Sequence, residues 1–165
     1  MKSPTAFART SAMVALLLIL ASIARADPAA DAKAVTDEFS KAFAACDVPA
    51  ILAMYEDDAT VIWPGQGEFA TGKTEIEKVI KENCGGNQKH ALTEVSSFAR
   101  AVSKDYIMHY GQLDDTAMGR EGKPMTLRIR VSELLHKSGG KWRYVIDHAS
   151  AGLPPPAEAG GATTR

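Results

Sequence analysis

The pattern of apolar residues changes near residue 90, and this change limits the fold more than any other feature of the sequence. Before it, apolar residues recur every three or four positions, which is the spacing of one helix face. After it come four β-rich runs, at about 90–102, 106–113, 124–136 and 141–150. Most turns between them are short, and strands joined by short turns pair antiparallel. The sequence therefore predicts an α+β fold of three helices followed by a strand meander.

The helical half also contains capping signals that set its boundaries. The first helix is predicted over 28–46, with Asp27 as its N-cap and a proline in its first turn. Asp47 has the same role for a second, short helix, and the third helix begins at Gly72. Between the second and third helices, residues 59–63 form a β-rich run that stops at a Pro-Gly turn.

Residues 1–26 have the three parts of a secretory signal peptide. A basic segment with Lys2 and Arg9 precedes an apolar stretch over 12–23, and Ala-Arg-Ala at 24–26 matches a small-x-small cleavage site. The apolar stretch is short of the roughly 20 residues that a membrane-spanning helix needs. We therefore expect an exported protein, periplasmic or secreted, that has no membrane anchor after cleavage.

The rest of the chain is long enough for one domain, which we place at 27–151. The segment 152–165, rich in Pro, Ala and Gly, is predicted to be a disordered tail. The full chain has a formal charge of −1, and residues 1–26 carry three basic and no acidic side chains, so the remainder is more acidic still. An acidic chain without a basic run argues against nucleic acid as a partner.

Two cysteines, Cys46 and Cys84, lie on apolar faces near predicted helix ends. In an oxidising compartment such a pair forms a disulfide or stays as two thiols, and the sequence leaves both open. No Cys-x-x-Cys is present, and the four histidines lack the spacing of metal ligands. We therefore expect no metal and no cofactor.

The register of the last two strands is predicted from a two-residue turn at Ser138-Gly139. This turn pairs Lys137 with Gly140 and places Asp147 near Arg130 on the solvated face. A cross-strand ion pair, which contributes little, is the simplest expectation for that aspartate. A slip of one residue would reverse the two faces.

The opposite face of the same hairpin is apolar and is predicted to point inward. Trp142, Tyr144 and His148 lie on it, with Glu133 across the ladder. Histidine titrates near neutral pH, so His148 is a tentative acid or base as well as a hydrogen-bonded core residue. Glu133 is either a rim residue or a pocket carboxylate. The face of His109 stays open, because the hairpin loop that follows it is too long to fix a register.

Residues 67–74 match the phosphate-loop pattern G-x-x-x-x-G-K-[ST] between a predicted strand and a predicted helix. Such a loop needs a parallel sheet with helical crossovers, and the second half of the chain predicts no helix. Phe69 also occupies the middle of the loop, where small residues are favoured. We therefore interpret the match as coincidental and expect no bound nucleotide.

Three segments together resemble the SnoaL-like domains of the nuclear-transport-factor-2-like superfamily. Residues 43–61, with Met-Tyr-Glu-Asp-Asp-Ala-Thr-Val, are similar to the family's second helix and the Asp-Asp-Ala-x-Val strand after it. Residues 72–76 resemble the start of its third helix, and 140–150, with Gly-Lys-Trp and Asp-His-Ala-Ser, resemble its closing strand. The resemblance implies a cone: a strongly bent antiparallel sheet packed on three N-terminal helices, with a cavity at the open end.

The superfamily includes enzymes, ligand binders and assembly modules, so the resemblance does not fix a function. Its isomerase-like enzymes use a carboxylate base and a Tyr/Asp oxyanion site, which the sequence alone does not place. We expect a homodimer whose cavity binds a small hydrophobic molecule. The alternative is an isomerase, dehydratase or hydrolase-type enzyme with His148 as acid or base. The expected pocket residues are Tyr55, Trp63, Glu133, Trp142, Tyr144 and His148.

Overall fold

The computed structural model describes residues 27–65, 67, 69–84, 90–119 and 122–152. The predicted signal peptide, 1–26, and nearly all of the predicted tail lie outside the described residues. No helix in the described part of the chain is long and apolar enough to cross a membrane. The elements in chain order are α1 (Pro28–Ala44), α2 (Val48–Ala53), β1 (Tyr55–Ile62), β2 (Ala70–Thr71), α3 (Lys73–Asn83), β3 (Ala91–Ala101), β4 (Tyr106–Met118), β5 (Pro124–Ser138) and β6 (Lys141–Ala151).

The three predicted helices are confirmed, together with the caps that begin the first two. The Asp27 side chain accepts a hydrogen bond from the Ala29 backbone N–H at 3.0 Å, and Asp47 accepts one from Ala50 at 3.1 Å. Each cap satisfies an N–H group that has no partner inside its helix. A proline lies in the first turn of both helices, where it does not interrupt backbone bonding.

The six strands form one curled sheet in the order β2-β1-β6-β5-β4-β3. Strands β3 to β6 form the predicted antiparallel meander, which confirms the α+β class. Two features differ from the prediction. Strand β4 runs on to Met118 through part of the predicted loop, and β1 pairs with β6 in parallel, so the sheet is mixed. A parallel pair needs a long crossover, which the intervening α3 and four strands supply.

The turn between β5 and β6 lies one residue further along the chain than predicted. Gly139 and Gly140 form it, with φ of 59° and 81°, and Ser138 pairs with Lys141. A two-residue hairpin turn of this kind needs positive φ at both central positions, which glycine adopts without steric cost. The predicted turn at Ser138-Gly139 is therefore wrong. The correction moves each cross-strand partner by two residues and leaves the faces unchanged.

A β-bulge in β6 then reverses the faces of that strand. The ladder pairs Tyr144 and Ile146 with adjacent residues of β5, so Val145 is an extra residue. One extra residue shifts the period-two alternation of side chains by one position. The predicted inward position of His148 is therefore wrong. Asp147 points into the molecule instead and is only 4% exposed.

Aromatic side chains join α1 to the inner face of the sheet. Phe39 and Phe43 stack with ring centroids 5.5 Å apart, and each meets Trp63 edge-on, at 6.0 and 5.7 Å. Tyr144 meets Phe39 in the same edge-on geometry at 5.8 Å. Edge-to-face contacts of this kind add to the free energy gained by burying the rings. They hold α1 against β6 beside the cavity described next.

Candidate functional site

A cavity of about 190 Å³ lies between α1 and the inner face of the sheet. Its walls are mostly apolar and come from both layers of the fold. Small-molecule sites typically combine such walls with a few placed polar groups. Representative wall residues are Phe39, Phe43, Leu113, Ile129, Val131 and Tyr144.

Two buried carboxylates line this cavity side by side. Asp147 on β6 and Glu133 on β5 are directly opposed in the antiparallel ladder, and they are 4% and 6% exposed. Ionising both at once is unfavourable, because like charges repel strongly in a site shielded from water. The negative charge of Glu133 therefore makes Asp147 harder to ionise.

Asp147 accepts two hydrogen bonds on one oxygen. The Tyr55 hydroxyl donates to Oδ2 at 2.5 Å, and the Trp63 indole N–H donates to the same atom at 3.0 Å. Burial, followed by the charge of Glu133, raises the pKa of Asp147 to about 7, although both hydrogen bonds lower the pKa by favouring the carboxylate. Asp147 can therefore gain or lose a proton near neutral pH.

Tyr55 supplies a donor that stays protonated. Its side chain is 1% exposed and lies beside Tyr144, with ring centroids 5.1 Å apart. Burial and the charge of Asp147 raise the pKa of Tyr55 well above its ordinary value of 10.0. The hydroxyl can therefore donate to Asp147 at any physiological pH.

Glu133 is oriented by a row of hydrogen bonds that leads toward β3. His109 Nδ1 lies 2.6 Å from Glu133 Oε2, and His109 Nε2 lies 3.0 Å from Ser97 Oγ. His109 is 1% exposed, so the face that the sequence left open is the inner one. Both ring nitrogens are engaged, which fixes the imidazole and, through it, the carboxylate beside Asp147.

The open end of the cavity has a second polar group. Asp115 on β4 lines the cavity, and His90 Nδ1 lies 2.9 and 3.0 Å from its two carboxylate oxygens. The His90 ring packs against Phe43 at 5.0 Å between centroids. Leu127, which pairs with Asp115 and also lines the cavity, is 42% exposed, so this end opens to solvent. The cavity therefore has apolar walls and a polar group at each end.

The structure brings four of the six predicted pocket residues to this site. Trp63, Glu133 and Tyr144 line the cavity. Tyr55 lies beside it, with its hydroxyl on Asp147. Aromatic rings therefore surround the carboxylate pair on the side of α1 and β1.

Trp142 and His148 lie elsewhere. Trp142 lines a separate groove between the first two helices and β6. His148 Nδ1 lies 3.1 Å from Ser132 Oγ across the ladder, and His148 does not line the cavity. The predicted ion pair of Asp147 with Arg130 is also wrong, because the bulge turns the aspartate inward.

Asp147 is the main residue that the sequence analysis missed. The predicted register placed it outside, and nothing in the local sequence marks Val145 as the extra residue of a bulge. A signal was available in the resemblance, because the closing-strand motif at 140–150 contains the Asp-His pair of which Asp147 is the first member. His109 had no comparable signal, since its partner Glu133 is distant in sequence.

Both cysteines are free thiols in the structure. Cys46 Sγ lies 3.9 Å from the Cys84 carbonyl oxygen, so the two helix ends are adjacent. Burial and the neighbouring Cys46 raise the pKa of the Cys84 thiol to about 12. The predicted disulfide is not formed here and stays a prediction for oxidised protein. Among the described residues, no cluster of His, Cys, Asp and Glu has the arrangement of a metal site.

Lys73, the lysine of the phosphate-loop match, has a structural role. Its Nζ donates to the backbone carbonyl oxygens of Leu52 at 2.7 Å and Tyr55 at 2.5 Å. The ammonium group thereby joins the start of α3 to the end of α2 and the start of β1. A lysine held by two carbonyls is not directed at a phosphate, which agrees with the interpretation of the match as coincidental.

The family model for the SnoaL-like domain matches residues 32–154, which is most of the described chain. No curated protein sequence matches the chain. The matched segment begins within α1 and extends past the end of β6, and it includes both carboxylates of the cavity.

Solved structures show the same fold at low sequence identity. A ketosteroid isomerase-like protein from Erwinia carotovora is 24% identical, with a TM-score of 0.62 over 78% of this chain and 98% of that one. A candidate dehydratase of the nuclear-transport-factor-2-like family from Streptomyces avermitilis is 12% identical, with a TM-score of 0.68 over 76% and 96%. A nuclear-transport-factor-2-like protein of unknown function from Pseudomonas putida is 16% identical, with a TM-score of 0.65 over 78% and 89%. The chain therefore belongs to the SnoaL-like domain family and has the nuclear-transport-factor-2-like fold.

Proposed function

We propose that this domain binds a small, largely apolar organic molecule in the cavity, with a polar group of that molecule hydrogen-bonded to Asp147. The observation that carries the proposal is an apolar cavity of about 190 Å³ that is lined by a buried carboxylate. Within the described part of the chain, the two hydrogen bonds to this carboxylate both reach Oδ2. Oδ1 is therefore left for a hydroxyl or carbonyl group of a ligand, according to the protonation state of Asp147.

Calorimetric titration with 4-phenylphenol tests this proposal, because the probe joins an apolar body to one hydroxyl donor. We expect Asp147→Asn to weaken binding about tenfold, since a hydrogen bond to a charged acceptor is lost. Val131→Phe, which fills the cavity wall, should weaken binding further. Asp58→Asn, at an exposed carboxylate of β1, is the control and should bind like the wild type. Equal affinity in all four proteins would contradict the proposal.

Acid–base catalysis is the second candidate function, and the pKa of about 7 for Asp147 favours it. A carboxylate with this pKa can take a proton from a carbon next to a carbonyl group and return it to another atom of the same molecule. In this mechanism Asp147 acts as the acid and base in place of His148. Two solved relatives of the fold bear names of isomerase-like and dehydratase type, which agrees with such chemistry.

Deuterium exchange of 2-tetralone in D₂O, followed by proton NMR, separates the two functions. An enzyme of this kind should exchange the α-protons faster than buffer does, with a rate that rises as pH passes 7. Asp147→Asn should abolish the acceleration, and His148→Ala should leave it unchanged. If the wild type and the D147N variant exchange at one rate while 4-phenylphenol still binds, the domain is a binder.

We further propose that the protein is exported, on the basis of residues 1–26 alone. N-terminal sequencing of protein recovered from the periplasm or medium should begin at Asp27. Leu17→Arg interrupts the apolar stretch and should leave the protein uncleaved in the cytoplasm. Recovery of the wild type as uncleaved cytoplasmic protein would contradict this proposal.

We also propose that the outer face of the sheet joins two copies of the chain. Phe98 and Tyr110 stack at 5.5 Å and are 55% and 49% exposed, and Met108 and Ile146 continue the same apolar face. Such a patch favours a self-complementary interface. Sedimentation analysis should find a dimer, and Phe98→Asp should yield a monomer. Phe69→Ser, at an exposed phenylalanine outside this face, should leave the dimer intact.

A further inference from the structure

We propose that Asp115, held by His90 at the open end of the cavity, binds a hydrogen-bond donor at the second end of an elongated ligand. This inference rests on the proposed binding of a molecule in the same cavity with its first polar group on Asp147. It assigns a class of ligand: an apolar body with two polar ends, of which the outer one is a hydroxyl or an ammonium group.

The geometry at the open end favours a ligand donor over a purely structural ion pair. His90 Nδ1 approaches both oxygens of Asp115, at 2.9 and 3.0 Å, and the two side chains are 10% and 20% exposed. A carboxylate offers about four lone-pair directions, so a single N–H leaves most of them open. Because Asp115 lines the cavity, part of that capacity faces the bound molecule.

An unpaired polar atom lies at the same end. His90 Nε2 is buried and has no hydrogen-bond partner among the described residues. A carboxylate only accepts hydrogen bonds, so Nδ1 carries the proton of this contact, and a ring with one proton then has Nε2 as an acceptor. A buried acceptor without a partner costs free energy, which makes a second polar group at this end favourable. Together with the Asp115 carboxylate on the cavity wall, His90 Nε2 therefore favours a hydrogen-bond donor of the ligand at this end.

The separation of the two polar ends sets the shape of the ligand. Glu133 pairs with His109, and Leu127 pairs with Asp115, so the two ends are six residues apart along β5. At about 3.3 Å per residue, the strand rises roughly 20 Å between them. The side chains between them on the inner face are apolar, as Val131 shows. This path along the curled strand is an upper limit for the gap between the two carboxyl groups. A single ring is too short for such a gap, so the ligand has an apolar body of two or more rings in a row.

The chain offers a matched control for Asp115 on the neighbouring residue. Asp114 lies on the opposite face of β4 and is paired with Arg128 across the ladder. Asp114→Asn and Asp115→Asn therefore remove the same charge from adjacent positions, one outside the cavity and one inside. His90→Phe keeps an aromatic ring against Phe43 and removes the hydrogen bond that positions Asp115.

The experiment is calorimetric titration at pH 8 with two matched probe pairs. These are 4-phenylphenol with 4,4′-dihydroxybiphenyl, and 4-hydroxystilbene with 4,4′-dihydroxystilbene. In the wild type and in the D114N variant, we expect the second hydroxyl to tighten binding about tenfold for at least one pair. In the D115N variant this gain should disappear, and the H90F variant should reduce it, whereas the D114N control should keep both the gain and the wild-type affinity for the monohydroxy probes.

The outcomes separate this inference from the proposed function. If the monohydroxy probes bind with a dependence on Asp147, but the second hydroxyl adds nothing or its gain survives in D115N, this inference is overturned and the proposed function stands. If no probe binds, both are overturned. Thermal melting of each variant shows whether it is folded, and H90F provides the test independently should D115N be unstable.

Discussion

At the scale of single residues, the properties of the site depend on the hydration free energy that an ionised carboxylate loses when it is buried. For Asp147 the cost of burial and the nearby charge of Glu133 outweigh two good hydrogen bonds, so its pKa rises to about 7 from an ordinary value of 3.8. Tyr55 and Trp63 therefore do not make the aspartate a permanent anion. They hold one of its oxygens in place while its protonation state stays adjustable.

The raised pKa of Asp147 predicts how the stability of the fold depends on pH. The folded protein binds this proton more tightly than the unfolded chain does, so the stabilisation is present below about pH 4 and is lost as pH rises through about 7. In that interval the free energy of unfolding should fall by up to about 1.4 kcal/mol per pH unit relative to the D147N variant. Urea denaturation at pH 5 to 8 measures the difference.

Asp58→Asn is the control for this measurement, because that carboxyl is exposed. It should follow the wild-type dependence on pH. The prediction fails if the free energy of unfolding depends on pH in the same way for the wild type and the D147N variant from pH 5 to 8. Asp147 would then titrate in the folded protein as it does in water.

Removing the Tyr55 hydroxyl should move the titration of Asp147 upward. Tyr55→Phe deletes a donor that favours the carboxylate, so we expect the pKa of Asp147 to rise above 7. NMR titration of the side-chain carboxyl carbon measures this directly. Tyr110→Phe, at a half-exposed ring on the outer face, should leave the titration unchanged. A downward shift in the Y55F variant would contradict the role of Tyr55 as donor.

At the scale of strands and helices, local signals were predictable and non-local ones were not. Asp27 and Asp47 cap helices as their sequences indicate, because a cap involves only residues within one turn. The bulge at Val145 and the parallel pairing of β1 with β6 depend on the rest of the sheet. One extra residue in a strand was enough to exchange His148 for Asp147 at the site.

The close pairing of β3 with β4 gives a prediction at this scale. A side chain at Gly111 would overlap the backbone carbonyl of Ser96, next to the irregularity in β3. We expect Gly111→Ala to lower the free energy of unfolding by about 1–3 kcal/mol, since two backbones would have to separate. Gly67→Ala, which meets no atom within 4 Å, is the control. Equal urea midpoints for both variants would show that the strands can move apart freely.

At the scale of the whole molecule, two free cysteines lie where the end of α1 meets the end of α3. The contact between Cys46 Sγ and the Cys84 carbonyl spans 38 residues of sequence. The proximity that a disulfide requires is therefore present, although the bond is not. The pKa of about 12 for Cys84 keeps its thiol protonated at neutral pH, and the thiolate is the reactive form.

Oxidation of the purified protein should form the Cys46–Cys84 disulfide, but slowly. We expect a thiol assay to find two free groups before treatment with oxidised glutathione and none after many hours. The bond should then raise the free energy of unfolding by about 3–4 kcal/mol, because it restricts a long loop in the unfolded chain. The same treatment of a Cys46→Ser variant should leave its stability unchanged. Two thiols that persist after oxidation would contradict the prediction.

The bulge in β6 has a consequence for how relatives of this chain are compared. A sequence alignment compares residue types, and the Asp-His pair aligns equally well whether or not a bulge precedes it in the strand. In a homologue without an equivalent of Val145, the histidine would enter the cavity and the aspartate would face solvent. Two proteins with identical motifs would then present different groups to their ligands, an imidazole in one and a carboxylate in the other. The presence or absence of the extra residue, not the motif, therefore determines which side chain lines the cavity.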